Sequence, residues 1–155
     1  MTARGGTPDV ARLLPRLPVI AAGVLSAPFV AFPLAAGAYI AYSLVVDDWY
    51  RDMFGDYGAK LLVLYTFYAL GVVAAATISA PRFRLFGGGV RLTAIVLCVA
   101  GLVAAGFLEN EFWNDADRLI ARGILFIPYL LWLLAGLAAR WRRRASPGAI
   151  APPPR

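Results

Sequence analysis

The sequence has no histidine, one cysteine and one lysine. Lack of histidine excludes bis-histidine haem ligation and most zinc sites, and it removes the commonest general base near neutral pH. Cys98 cannot form a disulfide within the chain, and in the middle of an apolar run it reads as a small packing residue. No Ser-His-Asp, Cys-His, HExxH or CxxC arrangement is present. The expectation is a chain with no catalytic residues, no cofactor and no bound metal. Charge is scarce too: 15% of residues are Asp, Glu, Lys or Arg, against about 25% in soluble domains.

What the sequence does have is long apolar runs, with 61% of its 155 residues hydrophobic. The charges fall in short islands between those runs. A bilayer core of about 30 Å needs about 20 helical residues, and four runs are long enough, at 19–46, 57–80, 90–108 and 119–139. The expected fold is all-α, an integral membrane four-helix bundle with short loops. Residues 18–140 form its transmembrane domain, preceded by a disordered segment 1–17 and followed by a disordered basic, proline-rich tail 141–155. The first run contains Pro28 and Pro33. Each lacks a backbone donor and crowds the turn before it, so a kinked or tilted first helix is expected. A signal peptide with Arg4, Arg12 and Arg16 ahead of it and a small-residue site at Ala36-Gly37-Ala38 is the rival reading. The apolar run continues past that site to Val46, which favours a span.

Orientation follows from the basic residues near the spans. Eleven arginines lie on one side: Arg4, Arg12 and Arg16, then Arg82, Arg84 and Arg91, then Arg140, Arg142, Arg143, Arg144 and Arg155. Four basic residues lie on the other: Arg51, Lys60, Arg118 and Arg122. The first side is expected in the cytoplasm, with both ends of the chain. Eight of the nine carboxylates fall on the opposite side, and only Asp9 does not. A net charge of +6 would fit nucleic acid, but these arginines flank apolar runs. The expected partners are therefore the lipid bilayer and anionic lipid head groups at the cytoplasmic face. Fourteen arginines to one lysine point to a GC-rich bacterial genome, hence to the bacterial plasma membrane.

The outer loops carry aromatics. Trp49, Tyr50, Met53 and Phe54 fall on one face of a short helix over 48–55 that Gly55 would end, lying in the membrane interface. Phe112 and Trp113 are similar anchors, and Asn114 or Asp115 is placed to cap the fourth helix. The outer carboxylates offer hard-cation ligands, but the 47–56 stretch lacks the spacing of an EF-hand loop, and a solvated acidic face is the plainer reading. On the inner side, Gly87, Gly88 and Gly89 beside Arg82, Arg84 and Arg91 suggest head-group contact. They lack the Gly-Lys-Ser/Thr of a phosphate loop, so a flexible turn is the plainer reading.

Three groups stand out as candidate sites. Tyr39, Tyr42, Tyr65, Thr66 and Tyr68 gather in the outer halves of the first two spans and would line an aromatic pocket, or else belong to an interfacial belt. Gly23, Ala27, Ala31 and Ala35, with Gly71 and Ala75, form small-residue rows that let helix backbones approach, within the bundle or against a partner. Glu109 and Arg122 are placed to form an interfacial ion pair. With no charge at mid-bilayer, the leading expectation is a non-catalytic accessory or assembly subunit of a membrane complex. It would pack as a homo-oligomer or against other subunits, with no nucleic acid. A small oligomeric transporter with an acidic outer vestibule is the alternative, and a lipid-modifying enzyme using outer carboxylates the remote one.

Overall fold

The computed structural model describes residues 14–80, 82–83, 86–111 and 114–145, without the side chains of Pro15, Trp49, Tyr50, Met53 and Phe54. The aromatic anchors Phe112 and Trp113, Arg84, residues 1–13 and residues 146–155 lie outside it, as do the side chains of the proposed aromatic face over 48–55. A 3-10 turn, Leu14–Arg16, leads into α1, Leu17–Val46. Then come α2, Asp48–Ser79, α3, Gly88–Asn110, and α4, Asp115–Ala145. All four are long and apolar enough to cross a membrane.

Pro18 in the first turn of α1 loses nothing by lacking an N–H that would be unbonded there anyway. A single residue, Asp47, separates α1 from α2. Arg51 N–H bonds the Asp47 carbonyl at 3.0 Å, and Asp48 and Arg51 form an ion pair one turn apart. The separate interfacial helix expected over 48–55 is therefore the opening of α2 itself. Gly55 does not end it, because no described glycine takes a positive φ and a helical glycine with ordinary φ simply continues the ladder. At the far end, α4 runs to Ala145 rather than stopping near 140. Arg142, Arg143 and Arg144 are good helix formers that complement the negative end of the helix dipole, and the first breaker in the sequence is Pro147. α4 begins where its sequence suggests. The Asn114 carbonyl accepts Arg118 N–H at 2.9 Å, and Asp115 and Asp117 stand in the first turn. The glycines of the inner loop are helix-starting residues: Gly87 is the N-cap, and Gly88 and Gly89 open α3.

The helices pack up and down, with α2 central: it lies against α3, α1 and α4, and α4 closes the ring against α1. The interior is built from small and aromatic residues. Tyr68, Val72, Ala75, Ala104, Ala105, Leu108, Ala121, Leu125 and Tyr129 form one buried cluster. Large aliphatic and aromatic side chains such as Val24, Phe32, Val45, Leu92, Leu119 and Leu133 face outward. This inverts the distribution of a soluble protein, where such residues fill the core. In lipid the exterior needs no polar cover, and thin interior residues let backbones come close. Helices of 30–32 residues rise about 45–48 Å, more than the apolar core requires, and their charged ends extend past it.

Candidate functional site

The middle of the bundle is organised around a glycine contact. At the crossing of α2 and α3, a Cβ on Gly71 would lie 2.5 Å from the Gly101 α-carbon, and the reverse holds for Gly101. Only glycine permits that approach. The Tyr129 hydroxyl, reaching in from α4, occupies the notch above the two glycines and would collide with either added methyl. It donates to the Tyr68 carbonyl at 3.3 Å, and the two tyrosine rings meet edge to face with centroids 6.1 Å apart.

Tyr68 in turn completes α1. Pro33 has no N–H, so the Phe29 carbonyl, four residues earlier, has no ladder partner. The Tyr68 hydroxyl donates to that carbonyl at 3.4 Å. In an apolar surround an unmatched carbonyl is costly, and a neighbouring helix supplies the missing donor. Trp132 Nε1 on α4 donates to Ser26 Oγ on α1 at 3.1 Å, and Ser26 Oγ donates to the Gly23 carbonyl at 3.3 Å. Four residues of α1, α2 and α4 thus carry cross-bundle hydrogen bonds inside the spans. Sequence reasoning passed over Ser26, Tyr129 and Trp132. The available signal was a polar atom within an apolar run, which must find a partner when it is buried.

The five residues of the expected aromatic pocket do not converge. Tyr68 is fully buried in the core, and Tyr65 is half-buried against Gly37 of α1. Thr66 is exposed and bonds back to the Leu62 carbonyl at 2.8 Å. Tyr39 and Tyr42 are 67% and 63% exposed, on the flank of α1 that faces away from the bundle. The buried residues of α1 are Ala22, Ser26, Pro33, Gly37, Ile40 and Ser43, so positions 39 and 42 point elsewhere.

The small-residue row divides in the same way. Gly23 lies under the Trp132 ring, and Gly71 and Ala75 are in the core. Ala27, Ala31 and Ala35 are exposed. Each step of four residues advances about 40° beyond a full turn, so a row that starts beside the bundle at Gly23 winds out of it by Ala27.

At the acidic end, Arg122 Nε bonds Glu109 Oε1, joining α4 to α3, and Lys60 Nζ bonds Glu111 Oε1, joining α2 to the end of α3. The Glu109 side chain is 11% exposed and that of Arg122 is 63% exposed. Among the described residues no three carboxylates or thiols gather as metal ligands. At the opposite end, Arg16, Arg82, Arg142 and Arg143 ring an apolar cavity between the start of α1, the end of α2 and the last turns of α4.

No family model, curated protein or solved structure matches this chain.

Proposed function

We propose that the chain is a non-catalytic multi-pass subunit or accessory protein of a membrane complex, set in the bacterial plasma membrane with its arginine-rich end in the cytoplasm. The supporting observation is the outward ridge of Ala27, Ala31 and Ala35 on α1. A ridge of small side chains on a lipid-facing surface lets a second helix approach closely. α1 is also the least covered helix: 17% of its apolar window is buried, against 28–33% for the other three. A transport path through one copy draws no support, since Gly71, Gly101 and Tyr129 close the centre and Tyr39 and Tyr42 face outward. The orientation rests on the excess of arginine at one end of the bundle.

The test is purification of the tagged full chain in a mild detergent, with the mass of the intact particle measured. A stable particle heavier than one copy, lightened by Ala31→Trp, is expected. A monomer with no co-purifying membrane protein would overturn the reading.

A further inference from the structure

The cavity at the arginine-rich end has a volume of about 980 Å³, at the upper end of the ~300–1,000 Å³ typical of ligand sites. Its walls are apolar, from Val19 and Ile20 of α1 to Ala80 and Ala139 opposite them. Its rim is cationic. Arg142 Nη1 donates to the Leu14 carbonyl at 2.8 Å, which ties the turn before α1 to the end of α4 and sets the width of the mouth. The guanidinium groups of the other three rim arginines, Arg16, Arg82 and Arg143, have no ion pair or hydrogen bond among the described residues. Every described carboxylate sits at the opposite end of the bundle, so no described carboxylate neutralises them. A smaller recess of about 280 Å³ adjoins the cavity, shares Arg143 with it, and adds Ser79, Arg140 and Arg144.

An apolar trough with guanidinium groups at its mouth, at the end of a membrane-spanning bundle, matches an amphiphile with an anionic head. Guanidinium is weakly hydrated and forks onto phosphate through two parallel hydrogen bonds. We propose that this cavity binds one anionic phospholipid. Its phosphodiester lies on Arg16, Arg82 and Arg143, an acyl chain lies along Val19, Ile20 and Ala139, and the rest of the head group enters the adjoining recess. Free phosphate would leave the apolar walls bare, and a zwitterionic head group carries its own counter-charge. The site is a single saturable one, unlike general attraction of a basic surface to anionic lipid. It rests on the helices lying in a membrane and is independent of what packs on α1.

The test is native mass spectrometry of the full chain in mild detergent, titrated separately with phosphatidylglycerol, phosphatidylcholine and inorganic phosphate. One phosphatidylglycerol should be retained per chain and phosphatidylcholine should not, with phosphate failing to compete at equal concentration. Arg16→Gln, Arg82→Gln and Arg143→Gln together should weaken retention roughly a hundredfold, at about fivefold for each arginine. Arg51→Gln with Arg118→Gln, at the other end, should leave it unchanged. Ala139→Phe keeps every arginine and fills the trough, and it should also abolish retention while the circular dichroism spectrum stays helical. Equal retention of both lipids, competition by phosphate alone, or full retention by the triple variant or by Ala139→Phe would overturn the proposal. So would the absence of any saturable adduct. Lipid adducts are read on each copy whatever the particle's mass, so this result and that of the subunit reading are separable.

Discussion

Gly71 and Gly101 meet backbone to backbone, beneath the hydroxyl of Tyr129. The contact fixes how closely α2 and α3 approach and where α4 sits over both. Gly71→Ala or Gly101→Ala should destabilise the bundle by about 1–3 kcal/mol, the range for forcing a methyl into a filled interior. Gly106→Ala should be neutral or mildly stabilising, because nothing lies within 4 Å of its added carbon and alanine is the better helix former. Denaturation in mixed micelles with increasing dodecyl sulfate reads both. Equal effects at the three positions would remove the special role given to the crossing.

The donor that Tyr68 lends to Phe29 should show as coupling with Pro33. Tyr68→Phe alone is expected to cost about 0.6–1.7 kcal/mol, as for other hydrogen bonds between membrane helices. In a Pro33→Ala background the helix regains its own N–H, and the same substitution should cost less. A double-mutant cycle measures the difference, and strict additivity would dissociate the two residues.

The Glu109–Arg122 pair is asymmetric. Arg122 is largely exposed, whereas Glu109 is enclosed. Arg122→Gln leaves an enclosed carboxylate without its partner, while Glu109→Gln leaves an arginine that water can solvate. The first should therefore be the more destabilising, by about 1–3 kcal/mol. The same micelle titration checks it, and the opposite order would contradict the burial difference.

Much of this architecture can be read in the sequence, for identifiable reasons. Four apolar runs of bilayer length give four helices, and the alternation of arginine and carboxylate islands gives their up-down order. Helix ends are less legible. Residues 48–55 read as a separate short helix and 141–145 as tail, yet no proline interrupts them and they belong to the long helices. Rotation about each helix axis is the least legible property. Tyr39 and Tyr68 both stand within apolar runs, and only the packing of α1 on α2 decides that one faces out and the other in. The period that was available, Ala22, Ser26, Pro33, Gly37, Ile40 and Ser43, averages close to three and a half residues. It marks the buried face better than the row of every fourth residue through Ala27, Ala31 and Ala35.

Orientation is open to a direct test in a Cys98→Ala background. Cysteine placed at Asp56 should react with a membrane-impermeant maleimide on intact cells, and cysteine at Arg144 only after lysis. Both positions are exposed, at opposite ends of the bundle. The reverse pattern would turn the molecule over.

The bond between the Tyr68 hydroxyl and the carbonyl released by Pro33 has an evolutionary consequence. The two positions constitute a single heritable unit, although they are far apart in the chain and no local pattern links them. A lineage keeps proline at 33 at little cost only while residue 68 supplies a hydroxyl. Once the proline is lost, phenylalanine becomes acceptable at 68. Descendants of this sequence should therefore lose the hydroxyl at 68 only where the proline at 33 has gone, and that one-way covariation would record a hydrogen bond that one helix lends to another.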